Sequence, residues 1–330
     1  MIAVLPVTDA QDPTPKLGEL PDPLPGRGEV LIDVAATAIN HADLLQLRGF
    51  YPPPPGESAV PGLECAGRIA AVGEGVDPEG VWKVGTRVMA LLGGGGHGTR
   101  AAAPVGQLMA IPENLSFVQA AALPEAGLTA WTNLVAEGRI EAGEAVLVNG
   151  ATGGMGTMFV QLASELGARV IAAGRHPGRL ERLRDLGIHD LVSDDDGLPE
   201  RVRERTGGQG VDLAIDLVGG PAFGRCLAAL RGRGRMVLVG LTAGRRADVD
   251  LGVLLSRRLR VFGSVLRARS REEKARLVAD FTAFALPRLA DGRLRPVIDR
   301  VLPFERIAEA YAALAKGGVA GKVVLEMGKE

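Results

Sequence analysis

The chain has 330 residues, of which 46% are hydrophobic and 23% are charged, the balance of a folded globular protein. The formal net charge of −1 gives no general attraction to nucleic acid or to a membrane surface. No apolar run reaches the roughly 20 residues that a membrane-spanning helix needs, and two cysteines, Cys65 and Cys226, are too few for a disulfide framework or a four-thiolate zinc site.

The first third of the chain is predicted to be rich in β-structure. Residues 1–10 lack the features of a signal peptide, so a cytosolic location is expected. Short apolar runs bounded by turn residues then predict strands at Glu29–Asn40, Glu64–Gly73 and Thr86–Leu92. The stretch Tyr51–Gly56 (YPPPPG) is predicted to be a stiff loop, because proline has no amide donor and restricts the residue before it.

From residue 144 onward the pattern changes to alternating strands and helices. Apolar strands are predicted at 145–149, 169–173, 212–218, 234–240 and 259–265, and helices at 156–166 and 179–186. Apolar strands separated by helices indicate a parallel sheet that is covered on both faces, the doubly wound dinucleotide-binding pattern. An amphipathic helix at 272–289 follows, and then a strand, a helix and a strand at 297–302, 304–315 and 322–327.

The loop between the first strand and helix of this series is rich in glycine. Gly150, Gly153 and Gly156 have a GxxGxxG spacing, and backbone amides at a helix N-terminus favour a pyrophosphate. A tight structural turn is the alternative. The sequence favours dinucleotide binding because a strand precedes the loop and a helix follows it. The predicted contacts are Asn149, Gly150, Thr152, Gly153, Gly154, Met155 and Gly156.

The end of the second strand of the series indicates which cofactor binds. An NAD-preferring site usually has an acidic residue there to accept from the ribose hydroxyl, but this chain has Gly174 and Arg175. Arg175 offers a planar charged fork that suits a 2′-phosphate, and Arg179 is a second candidate contact. The alternative is that both arginines are solvated at a helix start. The sequence favours NADPH.

Several motifs along the chain are distinctive together, namely Asn40–Asp43 with Arg48–Pro54, Pro61–Gly67, Ala121–Trp131, the NGATGGMG loop and Gly321–Val324. In combination they resemble the zinc-free quinone oxidoreductase branch of the medium-chain dehydrogenase/reductase superfamily. The resemblance is strongest to the tumour-suppressor-inducible type, through Met89–Gly96 and Ser264–Arg269. It implies an α/β protein with a GroES-like, β-rich catalytic domain at 1–122, completed by 267–330. A doubly wound Rossmann domain at 123–266 would bind the nucleotide.

Zinc-dependent relatives have a cysteine near the Asn40 position and a histidine in a Gly-His-Glu motif. This chain has Asn40 and Leu63 there, and neither an amide nor an alkyl side chain is a good zinc ligand. Its four histidines, His41, His97, His176 and His189, show no ligand spacing and are expected to be loop or surface residues. No metal is expected.

The resemblance implies NADPH-dependent reduction of quinones or related conjugated carbonyls, by hydride or electron transfer and without metal. It places Asn40 and Asp43 near the nicotinamide and Tyr51 at the acceptor, where a phenol could hydrogen-bond the substrate oxygen or donate a proton. Asp43 could equally cap a helix, and Tyr51 could be a surface residue. The remaining predicted cofactor contacts are Thr129, Ser193, Val218, Gly219, Gly240, Leu241, Ser264, Val265, Leu266 and Lys322.

Other interpretations stay open at this point. The same site residues suit an enoyl or alkenal reductase. Asp194–Asp196, which stand where the family often has a tyrosine, would repel a 2′-phosphate if they faced it, although a solvated turn is favoured. The segment Arg231–Arg235 resembles an RNA-binding RGG run but is predicted to be a solvated connection. A homodimer is expected from the family, with Arg257–Leu266 as a sheet-edge strand. The partners expected are therefore a small quinone or enone and a second copy, not nucleic acid or membrane.

Overall fold

The structure, a computed structural model, describes residues 1–6 and 13–328. Residues 7–10 of the N-terminal segment considered for a signal peptide lie outside the described residues. The chain divides into two compact units, which are Met1–Leu128 with Leu266–Glu330 and, separately, Thr129–Val265.

The first unit is built on a mostly antiparallel sheet that the C-terminal segment completes, with one parallel pair at its C-terminal edge. The strands of this unit are β1 (Ile2–Val4), β2 (Leu17–Glu19), β3 (Glu29–Ile39), β4 (Glu64–Val72), β5 (Arg87–Leu91), β6 (Arg100–Pro104), β7 (Leu108–Ala110), β14 (Ile298–Pro303) and β15 (Lys322–Glu326). β1 and β2 pair with each other in a separate two-stranded sheet. The main sheet has the order β14-β15-β3-β4-β5-β7, and β6 also pairs with β3. Because β15 pairs antiparallel with β3, the last strand of the chain lies beside one of the first.

The helices of the first unit cover this sheet. They are α1 (His41–Leu47), α2 (Phe117–Ala121), α9 (Arg271–Ala290) and α10 (Ile307–Lys316), with 3₁₀ turns at Val105–Gln107 and Phe304–Arg306; α3 (Pro124–Trp131) contains the boundary between the units. One core cluster joins Ile39 and Leu47 to Ile307 and Val323. Burial of these apolar side chains fixes α10 against the strands that carry the site described below.

The second unit is a six-stranded parallel sheet. The strands are β8 (Ala145–Asn149), β9 (Arg169–Gly174), β10 (Asp190–Ser193), β11 (Val211–Asp216), β12 (Leu230–Leu238) and β13 (Arg260–Gly263), in the order β10-β9-β8-β11-β12-β13. The helices are α4 (Gly154–Glu165), α5 (Pro177–Glu181), α6 (Leu198–Arg205), α7 (Pro221–Ala228) and α8 (Leu251–Ser256), with a π-helix at Thr132–Glu137 and a 3₁₀ helix at Arg182–Leu186. This is the Rossmann order, and the predicted fold class is confirmed.

The predicted bounds of β12 were wrong. The strand begins at Leu230, four residues before Gly234, so Arg231–Arg235 lies on the strand and is not a connection. The pairing register with β11 shifts here, and Arg233 has a φ of 63°, so the arginines form a bulge. Arg231 pairs with Asp212, and Arg235 binds the Glu144 carboxylate.

Candidate active site

The glycine loop joins β8 to α4 within the second unit. Gly150 has a φ of 84°, which favours glycine. A Cβ on Gly156 would lie 2.2 Å from the Gly150 carbonyl oxygen, so the third glycine lets the helix start against the loop. Gly153 is the N-cap of α4, and Thr152, Gly153, Gly154 and Met155 are half-exposed. The loop therefore presents backbone amides and a helix N-terminus to solvent, the arrangement that suits a pyrophosphate.

β9, the strand that follows α4, ends at Gly174. The next residue is Arg175 and not the acid that an NAD-preferring site usually has there. Arg175 is exposed and Arg179 is half-exposed. The interpretation of Asp194–Asp196 as a solvated turn was wrong for Asp194, which is buried and accepts hydrogen bonds from Arg225 at 2.7 and 3.0 Å. The Arg225 guanidinium therefore balances the negative charge of Asp194. Beside it, the Ser193 carbonyl accepts from Arg201 at 3.0 Å.

The remaining predicted cofactor contacts follow the later strands. The buried Asp216 carboxylate accepts from the Val218 and Gly219 amides at 2.9 and 3.1 Å, which fixes the turn after β11. Burial raises the pKa of Asp216, although these amides oppose the shift. Gly240 and Ser264 are half-exposed, Leu241 and Val265 are exposed, and Asn149 is buried at the end of β8.

Thr129 is a buried residue near the start of the second unit. Its carbonyl accepts from Asn133 Nδ2 at 2.7 Å, while its hydroxyl Oγ1 has no hydrogen-bond partner among the described residues. A buried hydroxyl without a partner is costly unless something else satisfies it. The Thr129 hydroxyl is therefore a buried polar group whose hydrogen-bonding capacity the described residues leave unused.

In the first unit, Asp43 has a structural role. One carboxylate oxygen accepts from the Asn40 amide at 2.7 Å, as in a capping box at the start of α1, and the other accepts from the Gly62 amide at 3.1 Å. Both oxygens are thus used by the backbone, and the side chain is buried. The geometry supports the capping alternative for Asp43.

Asn40, Glu64 and Lys322 form a buried polar centre. Lys322 Nζ donates to Asn40 Oδ1 and to Glu64 Oε1, both at 2.6 Å, and Asn40 Nδ2 donates to the same Glu64 oxygen at 2.8 Å. The second Glu64 oxygen accepts from the Glu125 amide at 2.9 Å. An ammonium group already balances the Glu64 carboxylate at the position where zinc-dependent relatives have metal ligands.

This donor set does not fit zinc. Asn40 and Leu63 are not zinc ligands, and the Lys322 ammonium would repel a divalent cation. Among residues 1–6 and 13–328, no cluster of three or more His, Cys, Asp or Glu side chains could hold a metal ion.

Tyr51 lies in the proline-rich loop, which forms no helix or strand, as predicted. Arg267 fixes the position of Tyr51 in two ways. The Arg267 guanidinium carbon lies 5.2 Å from the centre of the phenol ring, and one guanidinium nitrogen donates to the Tyr51 backbone carbonyl at 3.0 Å. Arg267 also donates to the Gly93 carbonyl and to Gln46 Oε1. Burial raises the pKa of the Tyr51 phenol to about 12, with a further contribution from the Glu125 charge, so the phenol keeps its proton at neutral pH.

Glu125 and Arg267 are site residues that the sequence reasoning missed. Burial, and then the Glu64 carboxylate, raises the pKa of Glu125 to about 8. The sequence contained a signal for Glu125, because this acid lies inside the apolar run 117–131. A charged residue in such a run is expected to be paired with an opposite charge or to have a shifted pKa.

Of the four histidines, His97 is in a loop, but its ring is fully buried. Its Nδ1 lies 2.8 Å from the Tyr311 hydroxyl, and burial lowers the pKa of the ring. The other three are exposed.

Comparisons with known proteins agree with this architecture. The family described as alcohol dehydrogenase GroES-like domain matches residues 26–113, and the family described as zinc-binding dehydrogenase matches residues 154–283. Quinone oxidoreductase-like protein 2 of Bos taurus is 31% identical over 91% of this chain and 85% of its own length. The chain belongs to the medium-chain dehydrogenase/reductase superfamily, and it is an oxidoreductase with a nucleotide-binding Rossmann domain.

Other relatives are longer proteins or solved structures. The phthioceranic/hydroxyphthioceranic acid synthase of Mycobacterium tuberculosis is 33% identical over 92% of this chain, which spans only 14% of that synthase. The structure of mycobacterial Rv1454c complexed with NADPH has a TM-score of 0.87 and 27% identity, with 99% of this chain and 100% of that chain covered. The structure of JamJ enoyl reductase has a TM-score of 0.85 and 25% identity, with 99% of each chain covered.

Proposed function

We propose that this protein reduces quinones or related conjugated carbonyl compounds with NADPH and without a metal ion. The observation that carries the proposal is the Lys322 ammonium held between Asn40 and Glu64 at the metal position of zinc-dependent relatives. Without a strong Lewis acid, an isolated carbonyl is poorly polarised. A quinone or enone needs less polarisation because its conjugated system delocalises the arriving negative charge.

Tyr51 is proposed as the group that faces the acceptor oxygen. Bound NADPH would supply the hydride, and the protonated phenol would donate a hydrogen bond and then a proton to the reduced oxygen. Arg267 fixes the loop that carries the phenol. Asn40 is proposed to position the site through Lys322 and Glu64, and Asp43 to do so by capping α1.

The preference for NADPH is supported by the second unit. The glycine loop suits the pyrophosphate, and Arg175 and Arg179 are accessible beside β9 for the 2′-phosphate. Asp194, the one buried acid of its run, is neutralised by Arg225 and so does not oppose a phosphate. The Thr129 hydroxyl has no hydrogen-bond partner among the described residues, and the structure of the relative Rv1454c is a complex with NADPH.

An enoyl or alkenal reductase is the second candidate, and the likeness to JamJ enoyl reductase favours it. The same phenol would protonate the carbonyl oxygen or the carbon of the enolate that hydride addition to a C=C bond leaves. Among quinone reductases, the tumour-suppressor-inducible type is proposed as the nearest, on the residues Met89–Gly96 and Ser264–Arg269.

A stopped-flow panel tests the proposed function. NADPH and NADH oxidation would be measured with several quinones, enones and enoyl thioesters, before and after dialysis against a chelator. We expect quinone turnover with NADPH that survives chelation and that slows with Tyr51→Phe. Turnover of enoyl thioesters but of no quinone would reverse the ranking, and loss of activity on chelation would refute the metal-free chemistry.

The proposal includes a cytosolic homodimer that binds neither nucleic acid nor membrane. Both cysteines are free and buried, and none of the helices in the described part of the chain is long and apolar enough to cross a membrane. β13 is an edge strand of its sheet, with Leu255, Val261 and Val265 exposed nearby, and such an edge can pair with a second copy. Light scattering should give the mass of a dimer for the wild-type protein and the mass of a monomer for Val261→Asp. A monomer mass for the wild-type protein would refute the proposed dimer.

A further inference from the structure

The segment 51–60, which begins with Tyr51, forms no helix or strand, and much of it is exposed to solvent. The exposed residues include Pro52, Pro55, Ser58 and Ala59. Surface segments of this kind are mobile unless specific contacts fix their backbone. The structure shows such contacts at both ends of the segment.

Arg267 and Gln46 hold these two ends. Arg267 Nη1 donates to the Tyr51 carbonyl at 3.0 Å, and Gln46 Nε2 donates to the Ala59 carbonyl at 3.0 Å. Arg267 Nη2 also donates to Gln46 Oε1 at 2.7 Å, so the two side chains are bonded to each other. Only 4% of Arg267 and 9% of Gln46 are exposed, and buried hydrogen bonds of this kind are little weakened by water. A continuous chain of hydrogen bonds therefore runs from Tyr51 through both side chains to Ala59.

The segment also lies close against the glycine run 93–96 that follows β5. A Cβ on Gly94 would lie 2.3 Å from the Ser58 carbonyl oxygen, so a side chain at that position would displace the segment. Arg267 Nε donates to the Gly93 carbonyl at 2.8 Å and thereby binds the glycine run as well. One guanidinium group therefore connects three separate parts of the chain, which are α1, the segment and the glycine run.

We infer that Arg267 and Gln46 are positioning residues that fix Tyr51 before the acceptor binds, an assignment that rests on the proposed role of Tyr51. Arg267 acts on Tyr51 through its backbone carbonyl and through the guanidinium group beside the phenol ring. Gln46 acts through Arg267 and through Ala59. Misplacing a reacting group by about 1 Å can lower a rate roughly 100-fold. The pair therefore contributes to kcat without contact with the acceptor.

A double-mutant cycle tests whether Arg267 acts through the phenol of Tyr51. Arg267→Met removes every donor but keeps a long side chain, and kcat for quinone reduction with NADPH should fall about 10- to 100-fold. In a Tyr51→Phe background the same change should lower kcat much less, because no phenol is left to misplace. Arg276→Met, at an exposed arginine on α9, is the matched control and should behave as wild type.

Gln46 offers a graded test of the same chain of hydrogen bonds. Gln46→Glu keeps an oxygen that accepts from Arg267 but loses the donor to Ala59, whereas Gln46→Leu loses both bonds. The kcat of Gln46→Glu should therefore fall between the values for wild type and Gln46→Leu. Hydrogen exchange followed by mass spectrometry should be faster in peptides from the segment 51–60 of Arg267→Met and Gln46→Leu, and unchanged in the strands of the Rossmann sheet.

The outcomes separate this inference from the proposed function. If Arg267→Met lowers kcat by the same factor with and without the Tyr51 phenol, or leaves exchange in the segment unchanged, the inference is overturned. If Tyr51→Phe itself keeps wild-type kinetics, the proposed role of Tyr51 fails instead. Should Arg267→Met fail to fold, the two Gln46 variants in the two Tyr51 backgrounds provide the same comparison.

Discussion

Lys322 and Glu64 form a buried ion pair with an N–O distance of 2.6 Å across 258 positions of the sequence. Lys322 is the first residue of β15, and Glu64 is the first residue of β4. These two strands pair with opposite edges of β3. The pairing that completes the first sheet therefore also assembles the polar centre beside Asn40. The polar centre therefore requires the C-terminal segment to be paired with the sheet.

Replacing Lys322 with Met should destabilise the protein strongly. The change leaves Glu64 as a buried carboxylate without its cation, which costs about 3–5 kcal/mol when one partner of a buried pair is removed. Urea unfolding followed by tryptophan fluorescence would measure the loss, with Lys316→Met at an exposed position as the control. Adding Glu64→Gln to Lys322→Met should recover part of the loss. If the two lysine variants were equally stable, the ion pair would contribute nothing.

The raised pKa of Glu125 predicts a stability that depends on pH. In the unfolded chain the carboxyl ionises near its ordinary pKa of 4.5, but in the folded protein the pKa is about 8. Between these values only the unfolded state releases the proton, so the folded state loses stability as the pH rises. Glu125→Gln has no such loss, and its melting temperature relative to wild type should rise from about pH 5 to about pH 8.

The size of this change is measurable by calorimetry, since each kcal/mol shifts Tm by about 2–4 °C for a domain of this size. Glu113→Gln, at an exposed acid, is the matched control and should show a difference that does not vary over the same interval. A flat difference for Glu125→Gln as well would mean that the Glu125 carboxylate finds a partner that the structure does not show.

The centre of the Rossmann sheet could be predicted from local pattern because its strands β8, β9 and β11 are almost wholly buried. Ala145–Asn149 and Arg169–Gly174 are therefore short apolar runs bounded by charged or glycine residues. The arginines of 231–235 hid the start of β12, since the ion pairs of Arg231 and Arg235 depend on Asp212 and Glu144 from other elements. Tertiary pairing there overrides a local composition that is typical of a loop.

The polar centre could be predicted only in part. Asn40 and Lys322 were recognised by resemblance, but their contact depends on strand pairing between distant parts of the chain. The protonation of Glu125 depends on which carboxylate Lys322 neutralises, and no local pattern contains that information. The same holds for the buried His97, whose partner Tyr311 is 214 positions away.

Gly156 and Gly153 should respond differently to alanine. A Cβ on Gly156 would lie 2.2 Å from the Gly150 carbonyl oxygen, whereas a Cβ on Gly153 has its nearest atom at 3.9 Å. Gly156→Ala should therefore move α4 or the loop, at a cost of about 1–3 kcal/mol, and weaken cofactor binding. Gly153→Ala should keep a near-wild-type Tm. Thermal unfolding with and without NADPH would test this, and equal Tm values for the two variants would contradict the close packing.

Arg175→Ala should weaken NADPH binding selectively. A charge-assisted hydrogen bond contributes about 1.5–3 kcal/mol, which corresponds to about a 10- to 150-fold rise in Kd for NADPH. NADH has no 2′-phosphate and should bind equally well to the variant and to wild type. Calorimetric titration of both nucleotides measures the two affinities, with Arg182→Ala, an exposed arginine on the same surface segment, as the control. An equal loss for NADPH and NADH would mean that Arg175 supports the fold of the β9–α5 turn and does not recognise the phosphate.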